Sequence, residues 1–236
     1  MAAAQAAPVE HSGSAGDPAA DTSADRTANP AHCGRRRDIL TGDDHRAGCR
    51  TRRGGRRRRV PDGVPESGIN LQIVRKAEGL LVFLGRSVRL TRTGEEAIYS
   101  PEAQTLREKK VSDLKNRVAL INALPHAVLL SIHQNSMPQH PAVHGAQVFS
   151  NPQEPAAGLA QSIQQALNLT VNTGNEKTAK AIGDSVYLMK HITCPGVLVE
   201  CGFLSNSHEA QLLRQPEQQK RLVAAIVAGY LNFGNH

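Results

Sequence analysis

Two patterns of apolar residues, a helical spacing and short continuous runs, divide the chain from Pro65 onward into predicted helices and strands. Spacings of three and four residues are typical of the buried face of a helix. They cover residues 69–84, 114–124, 156–169, 208–214 and 217–233. Short apolar runs between them have the length of strands buried on both faces, and they cover residues 87–91, 127–132, 146–150, 186–189 and 196–199. Strands that alternate with helices predict a single α/β domain whose mostly parallel sheet is flanked by helices.

The chain before residue 63 has a different composition. Residues 1–32 are rich in Ala, Pro, Ser and Asp and show no apolar periodicity, which is typical of a disordered segment. Residues 33–59 contain eleven arginines, and nothing in their pattern predicts a strand or a helix face. We therefore divide the chain into a disordered, Arg-rich segment, 1–62, and a folded domain, 63–236.

Most of the positive charge lies in the N-terminal segment. Residues 1–59 hold twelve Arg, no Lys and seven Asp or Glu, a net charge of +5, which leaves +2 for the rest of the chain. The pI near 9.5 therefore says little about the ligand of the folded domain. The arginines lack interleaved aromatic residues, so we expect no nucleic-acid partner. No apolar run reaches the roughly 18 residues of a membrane-spanning helix, and no export signal is recognisable.

Two of the predicted buried strands run directly into residues that suit catalysis. Residues 127–132 are followed by His133, and residues 196–199 are followed by Glu200. Ligand sites in open α/β sheets gather at the carboxyl ends of the strands, so both side chains are expected at one edge. A strand-end histidine or glutamate also has purely structural roles. Their conjunction favours a metal site or acid–base catalysis.

Five short segments, in order along the chain, resemble motifs of the zinc-dependent N-acetylmuramoyl-L-alanine amidases. Residues 131–135 resemble the family's S-I-H-x-N segment, and residues 199–206 are similar to V-E-x-G-F-[IL]-S-N. Residues 66–71 resemble E-K-D-I-N-L, while residues 90–92 and 117–122 resemble the T-R and R-x-x-x-A-N segments. The amino-acid sequence of residues 187–189 and 195–201 is most similar to that of the germination-specific amidases of the spore cortex. The resemblance implies an amidase/phosphorylase-like α/β fold.

The resemblance also implies a catalytic centre. Two of the family's zinc ligands fall on Glu66 and His133, with water in the open position of the metal. Glu200 matches the catalytic glutamate, which acts first as a general base and then as a general acid. The bond cut joins the lactyl group of muramic acid to L-alanine. The expected cofactor is therefore Zn²⁺.

Other roles follow from the same resemblance. Asn135, Arg92 and Arg117 are candidate substrate-binding residues, although the sequence alone favours a structural role for the two arginines. The implied partner is peptidoglycan, as glycan strands with stem peptides. The implied location is outside the cytoplasmic membrane, in the cell wall or the cortex region. The implied processes are peptidoglycan breakdown, sporulation and germination.

The chain departs from the family at its start. The strand and turn D-P-G-H-G-G-x-D-x-G-A, which supply the first zinc histidine, are absent, so we expect the first strand to be missing or corrupted. His45 is the nearest histidine, but it lies six residues too early and lacks the glycines, so the ligand role is not assigned to it. Our hypothesis is that residues before about Gly63 are an out-of-frame translation, because shifted GGC glycine codons read as CGG arginine. A G-H-G-G motif in another frame of the gene is the test.

Alternative readings of the site remain open at this point. His140 and His144 follow His133 in a Pro-rich loop and offer metal-type spacing, but loop histidines are usually solvated. Cys201 beside Glu200 suggests a thiol nucleophile, but no histidine partner is evident, so we interpret it as packing. A catalytically dead, peptidoglycan-binding pseudo-amidase is the alternative function, and the retention of both Glu66 and Glu200 counts against it. The Arg-rich segment as a nucleic-acid binder explains nothing after Pro65.

Overall fold

The structure is a computed structural model that describes residues 37–41, 66–94 and 97–234. The helices are α1 Glu66–Phe83, α2 Leu106–Asn122, α3 Ala156–Thr170, α4 Tyr187–His191, α5 Ser207–Leu212 and α6 Pro216–Phe233. The strands are β1 Arg37–Thr41, β2 Ser87–Leu90, β3 Ala127–Asn135, β4 Gln147–Ser150, β5 Lys180–Ala181 and β6 Gly196–Phe203. Within the described part of the chain they form a sheet with the order β2-β1-β3-β6-β4-β5. The predicted α/β domain is therefore confirmed.

The sheet is mostly parallel, with one antiparallel pair. β1 pairs in parallel with β2 and β3, β3 pairs in parallel with β6, and β4 pairs in parallel with β5. β4 and β6 run antiparallel. Because β3 and β6 are parallel neighbours, their carboxyl ends meet at the same edge, as the sequence predicts for a ligand site.

The first strand is expected to be missing or corrupted, and the expectation that it is missing is wrong. β1 lies between β2 and β3, with Arg37 opposite both Ser87 and Ala127 and with Thr41 opposite Ser131. A strand with a neighbour on each side is held by backbone hydrogen bonds, which do not depend on an apolar side-chain pattern. The sheet thus includes Arg37–Thr41, which precede the predicted start of the folded domain at residue 63. The predicted disorder of residues 1–32 falls outside the described residues.

One predicted strand is a helix. Residues 186–189 show a short apolar run, but the chain from Tyr187 to His191 forms α4. Short apolar runs do not distinguish a buried strand from one turn of buried helix, and here the packing decides. Leu188 and Met189 pack with Ile121 of α2 and Leu129 of β3.

The two faces of the sheet carry separate apolar clusters. On one face, helices α1, α3 and α6 pack on β3 and β6 through the cluster that includes Ile73, Leu130, Ile163, Val199 and Ile226. On the other face, α2 and α4 cover alternate residues of the same strands, such as Leu129 and Leu198. Every residue of β3 and β6 is buried, which explains their continuous apolar sequence.

None of the helices in the described part of the chain combines the length and the apolarity that crossing a bilayer requires.

Candidate active site

His133 and Glu200 are direct neighbours at the carboxyl edge of the sheet. They are register partners on β3 and β6, so their backbones are separated by one strand spacing of about 4.8 Å. Both residues are buried. The pairing register shifts between His133 and Asn135, where the strand ends. The predicted meeting of an imidazole and a carboxylate at this edge is therefore confirmed by the sheet pairing.

Glu66 reaches the same edge from α1. It is the first residue of that helix, and its Oε1 lies 3.6 Å from Nδ1 of His133. The other ring nitrogen of His133, Nε2, lies 3.1 Å from Oγ of Ser131. Since Ser131 and His133 are two residues apart on one strand, their side chains share a face. The His133 ring is thus placed with Nε2 beside the Ser131 hydroxyl and Nδ1 beside the Glu66 carboxylate.

The Glu66 carboxylate is stabilised in its charged form. Burial by itself would raise its pKa, but the neighbouring His133, the backbone N–H of Gln134 and the amide of Asn70 together hold the pKa below its usual value. The Gln134 N–H donates to Oε1 at 3.1 Å and Nδ2 of Asn70 donates to the same oxygen at 3.3 Å. A buried carboxylate beside an imidazole provides one oxygen and one nitrogen donor for a divalent metal such as zinc.

The loops after β3 and β6 are joined to one another by hydrogen bonds. The Leu204 N–H donates to the carbonyl of Asn135 at 2.8 Å, and the Met137 N–H donates to Oγ of Ser205 at 2.9 Å. Oδ1 of Asn135 accepts the N–H of Ser136 at 2.8 Å. These bonds hold the two loops that border the site together. The assignment of Asn135 to the substrate stays a prediction.

Arg117 is built into the fold. It is 2% exposed, its Nε and Nη2 donate to the two carboxylate oxygens of Asp113 at 2.8 and 3.0 Å, and its Nη1 donates to Oγ1 of Thr91 at 2.9 Å. The guanidinium thus joins α2 to the end of β2. This placement favours the structural alternative, and a substrate contact for Arg117 stays a prediction.

Arg92 lies closer to the site, through the start of α1. Its Nη2 donates to the carbonyl of Ser67 at 3.0 Å and its Nη1 donates to the carbonyl of Gly94 at 2.9 Å. Ser67 follows Glu66 directly, so Arg92 anchors the helical turn that carries this carboxylate. A substrate contact for Arg92 also stays a prediction.

The other candidates are placed less favourably for chemistry. Cys201 is buried in the apolar cluster on the opposite face of β6 from Glu200, and burial together with the charge of Glu200 raises the pKa of its thiol. His140 and His144 are exposed, and Nδ1 of His144 lies 3.0 Å from the carbonyl of Ala142. Among the residues that the structure describes, no group of three or more His, Cys, Asp or Glu is arranged to hold a metal ion.

Three residues with a clear place in the site were not given a role by the sequence. Ser131 contacts His133, while Asn70 and Gln134 contact Glu66. The period of two along β3 and the period of four along α1 place Ser131 and Asn70 on the correct faces. Spacing alone does not show that the side chains touch.

Comparison with known proteins decides the family. The model of the N-acetylmuramoyl-L-alanine amidase family Amidase_3 matches residues 29–232. The chain belongs to this family. The match begins before β1 and ends within α6, so it covers all but the last two described residues, and the amidase is a hydrolase of peptidoglycan.

Individual relatives agree with this assignment. The amidase is 29% identical over 179 residues to the germination-specific N-acetylmuramoyl-L-alanine amidase of Bacillus subtilis (strain 168), covering 73% of this chain and 75% of that one. It is similar to the CwlD amidase of Clostridioides difficile, solved in complex with the GerS lipoprotein, at 32% identity and a TM-score of 0.74 over 85% of this chain and 98% of that one. Ami1 of Mycobacterium smegmatis shares the fold, with 22% identity and a TM-score of 0.65 over 86% and 98% of the two chains.

Proposed function

We propose that the amidase hydrolyses the bond between N-acetylmuramic acid and L-alanine with the help of a bound zinc ion. The observation that carries the proposal is the convergence of three side chains at one edge of the sheet. Glu66 and His133 lie 3.6 Å apart, and Glu200 is the register partner of His133 on the next strand. Two potential metal ligands and a carboxylate beside them are the parts that metal-assisted amide hydrolysis needs.

The residues present fit a zinc ion. Two atoms that bind one tetrahedral zinc at about 2.0–2.1 Å lie roughly 3.3 Å apart, close to the separation of Glu66 Oε1 and His133 Nδ1. Zinc-binding imidazoles use their second nitrogen to hold a hydrogen-bonding partner, and Nε2 of His133 has Ser131. When bound, zinc polarises the scissile carbonyl and lowers the pKa of a water molecule to about 7.

A third protein ligand would come from the segment that follows β1. Thr41, the last residue of β1, lies opposite Ser131 on β3, two residues before His133. The chain therefore leaves β1 at the same edge as the proposed metal. His45, four residues further along the sequence, falls outside the described residues, and the ligand role is not assigned to it.

Glu200 is the proposed proton carrier. Glu200 lies beside His133 on the neighbouring strand, so its carboxylate is close to the proposed metal. From there it takes a proton from the water that attacks the carbonyl and delivers a proton to the departing amine nitrogen of L-alanine. Asn135, Arg92 and Arg117 remain candidates for holding the substrate.

We propose the peptidoglycan of the spore cortex as the substrate. The proposed location of the enzyme is therefore outside the cytoplasmic membrane. The support is the similarity to the germination-specific amidase and to CwlD. Cortex and vegetative peptidoglycan share the same muramoyl-L-alanine bond, so the choice rests on these relatives rather than on the geometry of the site. Comparing cleavage rates on the two purified sacculi decides between them.

The experiment that tests the proposal measures zinc content and muropeptide release on the full chain. We expect the wild type to hold one zinc and release L-alanyl peptides. Glu200→Gln should keep the zinc and lose the cleavage, and His133→Ala should lose both. A wild type that binds sacculi without cleaving them would favour the pseudo-amidase. A wild type that cleaves at full rate after zinc is removed by chelation would exclude the metal.

A further inference from the structure

A closed set of hydrogen bonds joins α1 to the end of β3 directly behind Glu66. Asn70 lies one helical turn after Glu66, and its Nδ2 donates to Oε1 of Glu66 at 3.3 Å. Gln134 donates to the same oxygen through its backbone N–H at 3.1 Å, and its side-chain Nε2 donates to Oδ1 of Asn70 at 3.1 Å. The three residues therefore form a ring of three hydrogen bonds, which we call the Glu66 brace.

The brace is buried, and its direction is determined. Asn70 is 0% exposed and Gln134 is 2% exposed. Oε1 of Glu66 accepts the backbone N–H of Gln134, and Nδ2 of Asn70 donates to the same oxygen. The oxygen end of the Asn70 amide therefore faces Gln134 and accepts from its Nε2.

The brace also determines where the Glu66 carboxylate points. The backbone N–H of Gln134 and the Asn70 amide approach the same oxygen, Oε1, and Nδ1 of His133 lies 3.6 Å from it. A glutamate side chain has three rotatable bonds, and two buried donors on one oxygen restrict them. The carboxylate is thus placed before any ligand arrives.

We propose that Asn70 and Gln134 are positioning residues for the metal, acting through Glu66; this inference rests on the zinc site of the proposed function. The brace keeps Glu66 oriented toward His133, so the ordering of the carboxylate is completed during folding rather than on binding. Removing such a partner of a metal ligand typically weakens metal affinity by about 10–100-fold.

The test measures zinc affinity by competition with a chromophoric chelator, together with the melting temperature of the metal-free protein. Asn70→Leu keeps the volume and removes the amide's hydrogen bonds to Glu66 and Gln134, and we expect zinc affinity to fall by about 10–100-fold. Gln134→Met removes the side-chain bonds to Asn70 and to the Cys201 thiol and keeps the backbone N–H bond to Glu66, so its effect should be smaller and in the same direction.

The double variant Asn70→Leu/Gln134→Met separates positioning from stability. Each single change leaves a buried polar partner unpaired, which lowers stability, whereas replacing both partners with apolar groups restores much of it. We expect the melting temperature of the double variant to recover while zinc affinity stays weakened. A purely structural role predicts that zinc affinity recovers together with the melting temperature.

Asn172→Leu is the matched control. Asn172 is a buried amide that donates to the carbonyl of Ala146 and accepts its N–H, both at 2.8 Å, on the part of the fold where α3 meets β4. Its replacement should lower the melting temperature and leave zinc affinity unchanged. Unchanged zinc affinity in Asn70→Leu overturns the inference and leaves the zinc site standing. A wild type that binds no zinc overturns the proposed function and the inference with it.

Discussion

Oγ of Ser131 lies 3.1 Å from Nε2 of His133, and both side chains are buried on the same face of β3. The hydroxyl holds the imidazole by one nitrogen, so that the other nitrogen faces Glu66. The contact between Ser131 and His133 does not depend on the loops around the site, because both residues lie within β3, whereas Glu66 reaches the ring from α1. The orientation of His133 is therefore set by its own strand and by the first turn of α1.

Ser131→Ala is expected to weaken zinc binding by about tenfold or more, because the ring of His133 loses the partner that orients it. The measurement is the zinc dissociation constant at constant pH. Ser162→Ala is the control, since Oγ of Ser162 donates to the carbonyl of Gly229, in the contact between α3 and α6. Equal zinc affinities for Ser131→Ala and the wild type would contradict the prediction.

The lowered pKa of Glu66 makes the metal-free protein sensitive to acid. A carboxylate whose pKa is lower in the folded state than in the unfolded state contributes stability above the unfolded value, here near 4.5. That contribution is lost as the pH falls from this value through the folded pKa. Glu66→Gln does not titrate, so the difference in unfolding free energy between wild type and variant should shrink below about pH 4.5. Urea unfolding at several pH values measures this difference in free energy. A difference that stays constant with pH would contradict the lowered pKa of Glu66.

Arg117→Met is expected to lower stability by roughly 3–5 kcal/mol, because it leaves the carboxylate of Asp113 buried without its guanidinium. If the arginine acts only in the fold, the KM of the remaining folded enzyme should not change. Arg117→Met/Asp113→Leu should recover stability, since both charges are then removed. A raised KM in the stable double variant would instead support the substrate contact predicted from the family.

Gly229→Ala is expected to destabilise the contact between α3 and α6. A Cβ at Gly229 would lie 2.5 Å from Cα of Ile163 and 2.8 Å from the carbonyl oxygen of Ser162, both backbone atoms that move only with the helix. The cost of such overpacking is typically about 1–3 kcal/mol. Gly79→Ala is the control, because Gly79 is exposed in α1 with no atom near its Cβ position, and it should gain up to about 1 kcal/mol. Thermal unfolding of both variants would show opposite shifts.

The hypothesis of an out-of-frame start before about Gly63 stays a prediction. β1 pairs with both neighbours from Arg37 to Thr41, and the family match begins at residue 29. Backbone pairing does not identify a reading frame, so the nucleotide sequence decides the hypothesis.

The positions of His133 and Glu200 could be predicted from the sequence because they depend on local pattern. A buried parallel strand needs an unbroken apolar run, and the residue that ends the run lies at the carboxyl edge of the sheet. The apolar spacing predicts α1 from residue 69 onward, while Glu66, which precedes it, was singled out only by the resemblance to the family motif. These features follow from the chain's own periodicity.

Only the tertiary structure decided which distant residues touch. The sequence of β1 shows no apolar pattern as long as the strand, and its position in the sheet comes from backbone pairing with β2 and β3. Residues 187–191 became a helix because α2 and β3 offer Leu188 and Met189 an apolar surface. The bonds from Gln134 to Asn70 and to Glu66 join residues 64 and 68 positions apart. Such contacts depend on how helices and strands pack together, and spacing along a single chain does not contain that information.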